Sequence, residues 1–135
     1  MPNVGINLNE VVEKSRLPGG QPFTFHFKQA NLGLSKNPNK RTGKQEGLIS
    51  CILNPLEPDF ADRDVYHSFS LSPGALQSDD PTISIKKFFL SVGFKWGDNG
   101  EFSNEDLYAI KFVGEVKYEE GNNFPRLAKV VQGVA

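Results

Sequence analysis

Residues 23–28 read FTFHFK, with Phe23, Phe25 and Phe27 alternating against Thr24, His26 and Lys28. Strict alternation is the period of a strand with one face buried and the other wetted. Working outward, residues 48–53 (LISCIL) form a mostly apolar run that Asn54-Pro55 stops. Residues 65–71 (VYHSFSL) alternate again, with Val65, His67, Phe69 and Leu71 opposite Tyr66, Ser68 and Ser70. The stretch 84–94, SIKKFFLSVGF, changes period: Ile85, Phe88, Phe89 and Val92 stand at i, i+3, i+4 and i+7, which predicts a helix ending at Gly93. A long strand is expected over 107–118, with Phe112, Gly114, Val116 and Tyr118 on one face. The turn residues EEGNN follow, and RLAKVV (126–131) closes the chain with Leu127, Lys129 and Val131 opposite Arg126, Ala128 and Val130.

Three strands, a helix and two strands is the element order of the OB-fold, a five-stranded Greek-key barrel. An α+β sandwich shares that order. The expected architecture is therefore all-β with one helix between strands 3 and 4. Residues 1–20 form an N-terminal arm or short helix, with Leu8, Val11 and Val12 on one side, and 21–135 form the barrel.

The connection after the first strand is unusual. Residues 32–47 read LGLSKNPNKRTGKQEG, long for a strand connection and rich in cations. Residues 26–50 carry Lys28, Lys36, Lys40, Arg41 and Lys44 against Glu46, a net +4, whereas 51–80 sum to −5 and the flanks to zero. A chain of net charge −1 can thus bind a polyanion locally.

Catalytic signatures are weak. Glu57, Asp59, Asp62 and Asp64 crowd one turn, but EPDFADRDV lacks the alternating acids, glycine and closing Glu of a calcium loop. His26 and His67 have no partner at zinc spacing. No glycine-rich phosphate loop or nucleophile elbow is present. The expectation is a non-enzyme without metal or cofactor. Cys51, the one cysteine, lies in an apolar run and reads as a buried thiol. No run approaches the roughly 20 apolar residues of a membrane span, and the N-terminus lacks a signal-peptide pattern. A cytoplasmic location is expected.

Single-stranded nucleic acid needs cations along a phosphate track and flat rings for bases. Lys36, Lys40, Arg41 and Lys44 supply the first from the loop, and Lys28, Arg126 and Lys129 extend the track. Tyr66 on a polar face and Phe124 at the end of the last turn are the candidate rings. Each has a packing alternative: Tyr66 against a lysine stem, Phe124 as a plug in the barrel end. Trp96 reads as packing at the helix end.

Four stretches carry a family likeness: LPGGQPFTFHFKQANLGLSKNPNK, ADRDVYHSFSLSPGAL, IKKFFLSVGF and EDLYAIKFVGEVKYEEGNNFPRLAKVV. Over roughly residues 17–131 the chain resembles the domain-of-unknown-function 669 family, short phage proteins grouped with phage single-stranded-DNA-binding proteins of OB type. The resemblance implies sequence-independent binding of single-stranded DNA in phage replication or recombination, in the host cytoplasm, with replication or recombination proteins as partners. A protein-interaction or virion structural module on the same barrel, and a metal-dependent nuclease using the Glu57–Asp64 acids, are the rival readings.

Overall fold

A computed structural model describes residues 4–10, 16–34, 43 and 46–134. Its strands are β1 (Phe23–Leu34), β2 (Gly47–Pro55), β3 (Val65–Ser70), β4 (Lys111–Lys117) and β5 (Arg126–Val134), with helices α1 (Pro73–Leu76) and α2 (Ile85–Val92) between β3 and β4. All five strands join one antiparallel sheet in the order β3-β2-β1-β4-β5, curled into a half-barrel that brings β3 near β5.

β1 is the spine of this sheet. Phe23, Phe25 and Phe27 point inward, as their alternation requires. Lys28 is then an extra residue: the pairing passes from Phe27–Leu53 to Gln29–Ile52, and the inward side moves to Ala30. Such a bulge bends and twists its strand, which suits a sheet that must curl.

Past His26, β4 no longer pairs with β1. A 3-10 segment, Asn104–Ala109, takes over that edge: Asn104 Nδ2 donates to the Ala30 carbonyl (2.8 Å) and Ala30 N–H donates to Tyr108 Oη (3.0 Å). Here the expected long strand over 107–118 is corrected. A capping box between Ser103 and Asp106 winds residues 104–109, and the strand begins only at Lys111. Phe112, Gly114 and Val116 do share the buried face.

The expected face of β5 is corrected too. Ala128 and Val131 are bulged, so Leu127 is buried while Lys129 faces out and Val130 turns toward the core. At the N-terminus the described helix is a single 3-10 turn, Leu8–Glu10, with Leu8 exposed; Val11 and Val12 lie outside the described residues. Residues 16–20 dock on the barrel. Leu17 is buried, its carbonyl accepts from Tyr118 Oη (2.6 Å), and the Arg16 guanidinium lies 4.1 Å from the centre of the Tyr118 ring.

The sheet's concave face is filled from α2. Its Ser84 N-cap accepts from Lys87 N–H (3.3 Å) and donates to the Leu76 carbonyl (3.0 Å), so this fully buried hydroxyl is satisfied. Gly93 ends the helix in the left-handed region at φ 76°. Ile85, Phe88 and Phe89 are buried, as the helical spacing requires. Phe88 meets Phe27 edge-on (5.7 Å), Phe112 edge-on (5.1 Å) and Phe69 at a tilt (5.3 Å). Trp96 packs beyond the helix end, 6.4 Å from Phe89.

Helix and sheet also touch through backbone. A Cβ at Gly133 would collide with the Val92 carbonyl, whereas one at Gly33 would meet open space. Urea denaturation is expected to show Phe88→Ala losing about 3–5 kcal/mol of stability. Gly133→Ala is expected to lose about 1–3 kcal/mol, and Gly33→Ala to stay within about 0.5 kcal/mol of the parent. A Gly133→Ala variant as stable as the parent would mean that α2 does not sit against β5 in this way.

Candidate functional site

The outer face of β1–β3 is built by register. Tyr66 stands opposite Ile52, Ser68 opposite Ser50 and Ser70 opposite Leu48, and β2 carries the rows on to Gln29, Asn31 and Gly33. Tyr66 is 66% exposed in the middle of this polar surface, so its ring is not consumed by packing. The sequence places Tyr66, Ser68 and Ser70 on one face, and the structure keeps them there.

Beside this face runs an open groove of about 820 Å³ between the edges of β3 and β5. Ser50, Tyr66, Ser68 and Ser70 make one wall, while Lys117, Arg126 and Ala128 make the other. Asp80, Thr82 and Ile83 line it from the connection before α2, and Cys51, His67 and Leu127 reach it from the core side.

Its floor is uncharged at neutral pH. Burial pushes the Cys51 thiol up to about 12, and Cys51 Sγ donates to the Ile49 carbonyl (3.8 Å). A protonated thiol is a poor nucleophile, so Cys51 is a packing residue, as its apolar run suggests. His67, opposite Cys51 in the ladder, is driven down to about 4 by burial and, secondarily, by the charge of Arg126; a hydrogen bond with the Thr82 backbone and the charge of Asp80 oppose this. The ring stands edge-on to Phe69 at 4.8 Å, and Nε2 is buried without a hydrogen-bond partner.

The cations occupy the far wall. Lys117 and Arg126 are directly opposite in the β4–β5 ladder, and Glu119 Oε1 lies 3.8 Å from Lys117 Nζ and 3.3 Å from Arg126 Nη1. Asp80 on the connection is engaged locally, accepting from Thr82 N–H (2.9 Å) and Oγ1–H (2.8 Å).

Of the candidate binding residues, Tyr66 and Arg126 therefore meet at one groove. Lys28 does not line it; its Nζ is 3.1 Å from Asp64 Oδ2. Lys129 stands opposite Glu115 on the outside of the β4–β5 hairpin. Phe124 is 73% exposed, so it plugs nothing, and it does not line the groove. Lys36, Lys40, Arg41 and Lys44 lie outside the described residues.

Sequence reasoning missed Lys117, Glu119 and the groove floor. A signal for Lys117 was present. Lys117 and Arg126 flank the EEGNN turn at the positions where the two strands leave it, so they must face each other across the hairpin.

Two acids of the turn before β3, Glu57 and Asp64, are engaged in local structure. Glu57 Oε1 accepts from Thr24 N–H (2.9 Å), and Asp64 Oδ1 accepts from Asn54 Nδ2 (2.8 Å), which also reaches the Ala61 carbonyl (2.7 Å). Among the described residues no group of His, Cys, Asp and Glu is arranged to hold a metal ion, and no helix is long and apolar enough to cross a membrane.

No family model matches this chain, and neither a search of curated proteins nor one of solved structures returns a match.

The buried imidazole gives a pH prediction. His67 titrates near 4 when folded and near 6.5 when unfolded, so between these values the unfolded chain binds more protons. Stability is therefore full above about pH 6.5 and falls as pH drops toward 4, by on the order of 3 kcal/mol from this residue. In urea denaturation across that window, His67→Gln is expected to lose less stability on acidification than the parent. Parallel losses in both proteins would assign the acid sensitivity to other groups.

Proposed function

We propose that this protein is a non-enzymatic OB-type barrel that binds single-stranded DNA with little sequence preference, in phage replication or recombination. The observation that carries the reading is the groove at the β3 edge, where the exposed Tyr66 ring and the Ser50, Ser68 and Ser70 hydroxyls face Lys117 and Arg126. A ring for a base and cations for phosphates, on opposite walls of one open cleft, is what sequence-tolerant binding of a single strand requires.

The topology supports the same reading. The order β3-β2-β1-β4-β5, with β3 approaching β5, is compatible with a partly open Greek-key barrel and supports that assignment. OB barrels take oligonucleotides on the face of strands 2 and 3, between the loop joining strands 1 and 2 and the loop joining strands 4 and 5. In this chain that face carries Tyr66, and the two loops are the Lys/Arg-rich 35–46 and the 118–125 turn. Duplex DNA hides its base faces, so a single strand is the better ligand for an exposed ring.

Titrating the protein with oligo-dT is expected to quench Trp and Tyr fluorescence saturably, duplex DNA much less. Affinity should fall with salt by about 0.7 log units per log salt for each phosphate contact. Tyr66→Ala is expected to cost about 1–3 kcal/mol of binding while Tyr66→Phe keeps most of it. Replacing Lys40, Arg41 and Lys44 together by Ala should weaken binding and lower the salt slope. No response to oligo-dT at low salt would overturn the proposal and favour a protein-facing role for the barrel.

A further inference from the structure

Lys117 and Arg126 form the last rung of the β4–β5 ladder before the turn. Like charges directly opposite on a sheet repel, so an anion between them is favoured. Glu119, two residues past the end of β4, supplies it: the same oxygen, Oε1, lies 3.8 Å from Lys117 Nζ and 3.3 Å from Arg126 Nη1. The three side chains are 52%, 57% and 52% exposed for Lys117, Arg126 and Glu119. A bridge this open is screened by water and contributes little to the fold. Both cations line the groove, whereas Glu119 does not.

We propose that Lys117 and Arg126 are a phosphate seat on the rim of the groove, and that Glu119 is its resident anion, displaced when a phosphodiester enters. This rests on the single-strand reading above. A guanidinium fork accepts a carboxylate or a phosphate with the same donors, so the two anions compete for one place. Glu119 is free to swing out, because its side chain is half exposed to water and lies past the end of β4, on a turn closed by backbone, where Asn122 N–H donates to the Glu119 carbonyl (3.0 Å). The groove's other charged lining residue, Asp80 on the connection before α2, is a carboxylate and offers a phosphate no seat. The strand is thereby oriented: backbone against β5, bases toward Tyr66.

The test is the anisotropy of labelled oligo-dT at low salt with four variants. Glu119→Gln removes the competing charge and is expected to tighten binding about three- to fivefold. Glu120→Gln changes the net charge equally but empties no seat, and is expected to stay within about a factor of two of the parent. In a mutant cycle, Glu119→Gln in a Lys117→Gln/Arg126→Gln background is expected to give no gain over that background alone. Melting curves establish that each variant is folded. Equal tightening by Glu119→Gln and Glu120→Gln, no tightening by Glu119→Gln, or a gain that persists without both Lys117 and Arg126 would each overturn the seat while leaving single-strand binding in place. A parent protein that does not bind oligo-dT would overturn the single-strand reading itself.

Discussion

Phe88 touches a ring from each of three strands: Phe27 of β1, Phe69 of β3 and Phe112 of β4. β1 and β4 pair with each other, but β2 separates β3 from both. One side chain from α2 therefore ties the curl of the sheet to a single packed core. Edge-to-face pairs add about 0.5–1.5 kcal/mol each beyond the area they bury, and here two of them share one ring. The helix is positioned for this by devices at both ends, the buried Ser84 hydroxyl bridging to Leu76 and the left-handed Gly93. Gly133 then lets β5 lie against the helix end at Val92. The curvature that creates the groove is thus a consequence of where α2 can sit.

Among the described residues no ladder joins β3 to β5, although the curl brings them near each other. A fully closed barrel would have no edge at this place. Leaving the seam open exposes the outer face of β3 and lets the floor residues Cys51, His67 and Leu127 border a cleft. An open seam is a hazard, because free edges invite other strands. The connection before α2 covers part of it, through the hydrogen bond between the Thr82 backbone and His67. The imidazole is the cost of that cover: it is buried, neutral and short of a partner at Nε2.

Much of the core was legible because period and burial coincide. The inward residues of the first half of β1, of β3 and of α2 follow directly from alternation or helical spacing. Errors arose where an extra residue changes phase without changing composition. Lys28 in β1 and Ala128 and Val131 in β5 are bulges, and nothing in RLAKVV distinguishes a bulged alanine from a paired one. The 104–109 segment was misread for a different reason. Ser103 and Asp106 form a capping box, a local signal, yet the apolar run that follows dominates a reading by periodicity. For the site, Tyr66 was found because a ring on a polar face is anomalous, and Arg126 because it is charged near a turn. Lys117 needed the hairpin register, and His67 and Cys51 needed the seam, which no local pattern announces.

The charge separation along the chain takes on a different meaning once partners are assigned. The segment 51–80 sums to −5 and, on the sequence alone, reads as an acidic counterpart to the basic 26–50 stretch. Three of its six acids instead hold local structure: Glu57 on Thr24, Asp64 on Asn54 and Lys28, and Asp80 on Thr82. Lys28 is drawn into the same arrangement and carries less free charge than its sequence position suggests. The charged side chains that line the groove are a short list, Lys117 and Arg126 at the end of the β4–β5 hairpin and Asp80 on the connection before α2. Exposed charges lose influence beyond about 8–10 Å at ordinary ionic strength, so these local groups, rather than the sum over the chain, set the potential in the groove. A chain of net charge −1 therefore still presents two cations on one wall of the groove, bridged by Glu119 from outside it.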